Sequence, residues 1–187
     1  MTRTKNIGIL ALQGDFEAHR KAVEREGARA VEVRTADQLA VCDGLIIPGG
    51  ESTTMLKLLD IQKLTEPLRE FASHKPVFGT CAGAILLAHA VTGPEQPSLN
   101  LLDIDVERNA YGRQIDSRIA HIETADGSTE AVFIRAPIIR RAGPEARVLA
   151  TYQRNPVWVE QGLHMVTTFH PELSLDSPVH RRFLSKI

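Results

Sequence analysis

Pro76-Val77-Phe78-Gly79-Thr80-Cys81-Ala82-Gly83-Ala84-Ile85-Leu86-Leu87-Ala88 reads as a short apolar strand, a sharp turn and an apolar helix. Glycines two residues either side of Cys81 permit a tight turn, so the sequence predicts a nucleophile elbow with Cys81 at its apex. A thiol at the point where a strand passes into a helix N-terminus meets the positive end of the helix dipole. Such placement favours thiolate over thiol in general. The stretch therefore points to attack on a carbonyl carbon, on a scaffold in which strands alternate with helices.

Working outward, the first half of the chain keeps that alternation. Ile7 to Leu12, Ala30 to Arg34 and Gly44 to Ile47 read as strands, and Asp15 to Glu26, Thr53 to Leu59 and Leu64 to Ser73 as helices. Short, continuously apolar strands separated by helical stretches predict an α/β fold with a mostly parallel sheet covered on both faces. Ligands in such sheets bind at the carboxyl ends of the strands. Gln13-Gly14, Gly49-Gly50 and Cys81 all fall at that edge.

The second half changes style. Leu101 to Val106, Ile115 to His121, Ala131 to Ile134, Arg147 to Tyr152, Val157 to Glu160 and His164 to Phe169 read as extended segments, so additional antiparallel strands are expected there. Asp126-Gly127 is a hairpin signal. A terminal helix is predicted over Pro178 to Ile187, with Ser177 as its cap. Gly93-Pro94-Glu95-Gln96-Pro97 is a loop between the two styles, too short to separate domains.

At 187 residues the chain is long enough for one sizeable core and short for two, so a single domain over 1–187 is expected. The net charge is -1, and the basic residues Arg140-Arg141 and Arg181-Arg182 come as pairs rather than a patch, which argues against nucleic acid. Cys42 and Cys81 are read as reduced thiols. The run from Ile7 to Leu12 reads as a buried strand rather than a signal peptide, no membrane span is expected, and the expected compartment is the cytoplasm.

A cysteine nucleophile needs a base that later protonates the leaving group, and histidine suits both tasks near neutral pH. His170 stands in His170-Pro171-Glu172, directly after an apolar segment. Proline biases the preceding residue toward extended backbone, where residues i and i+2 share a side, so Glu172 is expected to reach the imidazole and fix its tautomer. Taken alone, the same tripeptide is also a solvated turn.

Pro48-Gly49-Gly50-Glu51-Ser52-Thr53 follows a buried strand and contains two glycines and a serine expected to cap the next helix. Such a turn can present backbone N–H groups to an oxyanion, with the N–H of Ala82 as a second donor; it can equally be a phosphate loop or a plain helix entry. Arg108 and Arg135 are polar breaks after apolar strands, suited to clamping a carboxylate or to solvation. Cys42 reads as a core or surface filler. His19, His74, His89, His121, His164 and His180 lack a carboxylate at useful spacing and read as structural, and no spacing suggests a metal site.

These residues together resemble the class I glutamine amidotransferases. Gly79 to Gly83 and His170 to Glu172 are similar to the wider class. Leu12 to Gly14, Pro48 to Thr54, Arg108 to Gln114, Phe133 to Pro137 and Phe169 to Leu173 are similar to its members that serve as glutaminase subunits of pyridoxal 5'-phosphate synthases. The motifs occur in order across nearly the whole chain. Departures are Trp158, in a stretch usually less bulky, and the short run after the final helix.

The resemblance implies a flavodoxin-like fold and hydrolysis of L-glutamine to L-glutamate and ammonia through a glutamyl thioester. It implies Cys81, His170 and Glu172 as a triad, and Gly49, Gly50 and Ala82 at the oxyanion hole, with a Gly49-Gly50 peptide that reorients when the partner binds. Glutamine contacts are implied for Gly50, Glu51, Ser52, Arg108, Ile134 and Arg135, and Gln13 is placed at the partner interface. The implied partner is the barrel-shaped synthase subunit, in a hetero-oligomer, with no cofactor or metal on this chain. A glutaminase for a different synthase, and a non-catalytic module of the same fold, stay open on the sequence.

Overall fold

Alternate residues of the central strands face two separate cores, which is what strands covered on both sides require. Ile7, Ile9, Ile46 and Phe78 enter one core, while Leu10, Leu45, Ile47 and Val77 enter the other. The computed structural model describes residues 3–110, 117–125, 127–176 and 178–187.

The strands in chain order are β1 (Asn6–Leu10), β2 (Arg29–Val33), β3 (Gly44–Ile47), β4 (Val77–Thr80), β5 (Ala88–Thr92), β6 (Leu102–Glu107), β7 (Ser117–Thr124), β8 (Gly127–Ile134), β9 (Ile138–Ala142), β10 (Arg147–Tyr152), β11 (Asn155–Gln161) and β12 (His164–Thr167). The helices are α1 (Phe16–Arg25), α2 (Ala36–Ala40), α3 (Ser52–Ile61), α4 (Thr65–Ala72), α5 (Ala82–Leu87) and α6 (Pro178–Leu184), with a 3₁₀ turn at Pro171–Leu173.

The main sheet has the order β10-β11-β12-β4-β3-β1-β2. β12, β4, β3, β1 and β2 are mutually parallel, and β10 and β11 extend them antiparallel. The parallel part has the flavodoxin-like order, whose switch point lies between β1 and β3. The loops that carry Gln13-Gly14 and Gly49-Gly50 therefore leave the sheet there. A three-stranded sheet, β5-β6-β9, and a hairpin, β7-β8, complete the second half.

Val23 of α1 and Val179 and Phe183 of α6 join the core of Ile7 and Phe78. Leu39, Met55, Leu59, Leu68 and Phe71, from α2, α3 and α4, join the other. Local signals start these helices: Asp15 accepts from the Ala18 N–H, and Thr35 and Gln38 form a capping box at α2. Cys42 is fully buried, donates to the Gln38 carbonyl at 3.1 Å and has its thiol pushed up to about 11, chiefly by burial. Trp158 fills core space and is 1% exposed.

The predicted strands and helices of the first half are present, with ends shifted by at most two residues and β3 at its predicted bounds. Four elements lie outside the sequence reading: α2, β5, β9 and the 3₁₀ turn. Ile115, Asp126 and Ser177, and residues 111–114 of the Arg108 to Gln114 run, lie outside the described residues. Among the described residues, no helix is long and apolar enough to cross a membrane.

Candidate active site

Cys81 occupies the turn between β4 and α5 with φ 49° and ψ -103°, a region that costs a non-glycine residue on the order of 1–3 kcal/mol. Its N–H donates to the Thr167 carbonyl at 2.8 Å, which ties the turn to β12. The strain thus falls on the cysteine, and the flanking glycines serve a different purpose from the one their spacing suggests. A Cβ on Gly79 would lie 2.6 Å from the Gly83 backbone, and one on Gly83 would overlap the Ile47 carbonyl. They let strand, helix and the neighbouring β3 approach one another.

Nδ1 of His170 lies 2.7 Å from Oε1 of Glu172. The route is not the extended alternation expected from the proline. His170 is the non-helical residue before the 3₁₀ turn, with φ -105° and ψ 85°, and Glu172 sits inside that turn, which swings its carboxylate back under the ring. The His170 N–H donates to the Val132 carbonyl at 2.8 Å, fixing the segment against β8.

Burial works against a charged imidazole at His170, but hydrogen bonds and electrostatic attraction to Cys81 and Glu172 outweigh it, raising its pKa to about 10. Burial likewise works against the Glu172 carboxylate, and the imidazoles of His19 and His170 hold it down at about 2. His19 is itself driven toward its neutral form by complete burial. Of the two imidazoles, His170 is the one favoured in its charged form.

One cavity of about 270 Å³ is lined by Gly49, Gly50, Glu51, Ser52, Cys81, Ala82, Arg108, Ile134, Arg135 and His170. Sγ of Cys81 lies 3.9 Å from the Ile134 carbonyl across it. A Cβ on Gly49 would overlap Cε1 of His170, so the imidazole lies directly against that peptide. Among the described residues, no group of three or more His, Cys, Asp or Glu side chains is arranged to hold a metal ion.

The loops after β1 and β3 interlock at the cavity edge. Oε1 of Gln13 accepts the Glu51 N–H at 2.9 Å, and the Gly49 carbonyl packs on Gly14, where no side chain fits. Gln13, placed by resemblance at a partner interface, thus braces the Gly50-Glu51 turn from within the chain.

Ser52 does not cap α3. Glu51 does, its carboxylate accepting from the Thr53 and Thr54 N–H groups, while the Ser52 hydroxyl donates to Gln96 at 2.9 Å. Hydrogen bonds from Thr53, then Thr54, hold the Glu51 carboxyl at about 2. The same carboxylate pairs with Arg108 at 3.2 Å. Glu51 and Arg108 present one fixed charge of each sign on the cavity wall.

The SNO glutamine amidotransferase family model matches residues 9–187. The chain belongs to that family. Full-length relatives agree: the pyridoxal 5'-phosphate synthase subunit PdxT of Solibacter usitatus is 59% identical, covering 98% of this chain and all of its own length. The PdxT of Koribacter versatilis is 53% identical over 97% and 95%. A crystal structure of a glutamine amidotransferase superposes with a TM-score of 0.91 at 46% identity, covering 96% of this chain and 97% of its own. PurLQS from Thermotoga maritima, 14% identical with a TM-score of 0.71, shares the fold.

Gly14, Asp15, Ile85, Asn109 and Pro137 also line the cavity, beyond the site residues expected from the sequence. More informative is His19, which reads as structural in the sequence because it lacks a carboxylate at useful spacing. Its Nε2 lies 3.3 Å from Oε2 of Glu172. Only the helical spacing of His19 with Ala22 and Val23 marked it as inward-facing, a signal that carries no chemistry by itself.

Proposed function

We propose that this chain is the glutaminase subunit of a pyridoxal 5'-phosphate synthase, hydrolysing L-glutamine and passing ammonia to the synthase subunit. The carrying observation is Cys81 at a strained elbow, on the wall of one cavity with His170, whose ring is paired at 2.7 Å with buried Glu172. The names of relatives at 59% and 53% identity over nearly the full length support the same assignment.

In this reading the Cys81 thiolate attacks the side-chain carboxamide carbon of glutamine. The oxyanion is received by backbone N–H groups of the Gly49-Gly50 turn and of Ala82, the first helical residue of α5, since the first amides of a helix have no intrahelical acceptor. His170, held protonated, gives its proton to the departing nitrogen and ammonia leaves. The γ-glutamyl thioester on Cys81 is then attacked by water, His170 takes the proton, and glutamate is released with the thiol restored. Glu172 keeps the imidazole in one tautomer and balances its charge throughout.

Free glutamine carries an α-ammonium and an α-carboxylate, and Glu51 and Arg108 supply the complementary charges. Gly50, Ser52, Ile134 and Arg135 form the remaining contacts of this pocket. Gln13 lies beside the face that meets the synthase subunit. In this reading the chain works in the cytoplasm and residues 1–187 act as one domain; what supports the single domain is a main sheet whose strands come from both halves of the chain.

The test is glutamate release from glutamine by the chain mixed with its synthase subunit. Turnover is expected for the native chain and none for Cys81→Ala; a Cys81→Ala chain that retains turnover sinks the assignment.

A further inference from the structure

Behind the triad carboxylate lie three buried polar side chains, His19, Thr80 and His180, that the mechanism above does not use. His19, Thr80, Glu172 and His180 are each at most 4% exposed, and they come from α1, β4, the 3₁₀ turn and α6. Oε1 of Glu172 is occupied by His170, whereas Oε2 is buried without a hydrogen bond. Nε2 of His19 stands 3.3 Å from Oε2 and 3.1 Å from the Thr80 hydroxyl, and Nδ1 stands 3.1 Å from Nε2 of His180.

A buried ionised oxygen without a donor costs more than the other contacts in a core can conceal. A carboxylate only accepts, so a ring nitrogen 3.3 Å away is favoured as an N–H, here hydrogen-bonded to the Thr80 hydroxyl, over a bare lone pair facing the negative oxygen. That places the single proton of neutral His19 on Nε2, leaves Nδ1 as an acceptor, and makes His180 the donor to it through its own Nε2–H. Burial disfavours the charged form of both rings: His180 is lowered to about 3 and His19 is lowered as well.

Resting on the glutaminase reading, we propose that His19 is a positioning residue for the reaction, its protonated Nε2 edge anchored on the Thr80 hydroxyl and set against Oε2 of Glu172, and its tautomer set by His180. Cys81, His170, Glu172, His19 and His180 then form one polar chain from the cavity to the packing between α1 and α6. His19 does not line the cavity, so it acts through Glu172: it keeps Oε1 aligned on Nδ1 of His170 as that ring gives and regains its proton.

The experiment measures glutaminase turnover with the synthase subunit present, per site titrated with an alkylating glutamine analogue, for native chain, His19→Leu and His19→Gln. Removing a partner that orients a reacting group from behind typically costs roughly 10- to 100-fold. His19→Leu is expected to lower kcat per titrated site by about tenfold or more with KM unchanged, and His19→Gln, which returns an N–H near Nε2, to recover most of it. If His19→Leu gives no titratable sites, His180→Phe replaces it, with a several-fold fall in kcat expected. Nitrogen-15 spectra of the native chain are expected to show His19 protonated at Nε2. Unchanged kcat per site, a rise confined to KM, no recovery with His19→Gln, or a proton on Nδ1 overturns the inference. Absence of turnover by the native complex overturns instead the glutaminase reading beneath it.

Discussion

Nδ1 of His170 and Oε1 of Glu172 meet at 2.7 Å across a single proline, with the carboxylate wholly shielded from water and the imidazole nearly so. A charged hydrogen bond in such surroundings is strong, and it leaves the opposite ring nitrogen to face the thiol. Glu172→Gln keeps the shape and removes the charge. Glutamate release is expected to fall on the order of a thousandfold or more, the scale seen when the carboxylate of a triad becomes an amide. A fall of less than tenfold would mean that the carboxylate does not hold the imidazolium.

Stability should depend on pH in a direction set by the same groups. His170 is raised from 6.5 to about 10, so its contribution is complete below pH 6.5 and is lost as pH climbs toward 10. Glu172 is lowered from 4.5 to about 2, so its contribution is present above pH 4.5 and is lost as pH falls toward 2. His180, lowered from 6.5 to about 3, takes up protons more readily unfolded than folded, which removes stability as pH drops below 6.5. The thermal midpoint is expected to peak near pH 6.5 and to decline on both sides. A midpoint still rising at pH 9 contradicts the assignment for His170.

Arg108 should govern affinity more than chemistry. Its guanidinium pairs with Glu51 and is largely buried on the cavity wall, while the reacting carboxamide belongs to the far end of the substrate. Arg108→Met is expected to raise KM for glutamine by roughly 10- to 100-fold with a smaller change in kcat, the signature of binding energy used equally in ground and transition states. Arg108→Lys should recover little, because a planar fork and a point charge are not interchangeable. Steady-state kinetics on the two variants decides it.

At Gly83 a side chain has nowhere to go, since a Cβ there would run into the carbonyl of Ile47 on the adjacent strand. Overpacking of this kind costs about 1–3 kcal/mol. Gly83→Ala is expected to lower stability by about 2 kcal/mol in urea titration and to slow alkylation of Cys81. Alanine accepted without loss of stability would show that β3 and α5 can separate.

The parallel core was legible in the sequence because its strands are continuously apolar and end in glycine-rich turns. What escaped had local reasons. Ala88 to Thr92 follows the apolar helix without a break in composition, and only the extended ψ of 156° at Ala88 ends α5 there. β9 hides behind Arg140-Arg141, which look like a solvated pair. In the folded chain Arg141 bridges to Asp103 and Asp105, and Arg140 to Glu107, across β6. α2, with five residues, is too short for helical periodicity to register.

In the active site, the thiol, the imidazole and its carboxylate were readable because each sits in a short motif. The cap of α3 was assigned to Ser52 by residue type, whereas the longer Glu51 side chain reaches both amides and leaves Ser52 to Gln96. His19 and His180 were beyond reach: they are 161 positions apart in the chain, and nothing but tertiary packing joins them.

The last helix has a consequence for how the protein can be shut down. Val179 and Phe183 seal the core around Phe78, Phe183 and Ile187 press on Gly44, and His180 stands in ring contact with both His19 and Phe78. A chain cut before Pro178 would flood the back of the catalytic centre with water while leaving the mouth of the cavity intact. The α6 helix is therefore a plug, and a protease that removed it would silence the thiol from behind.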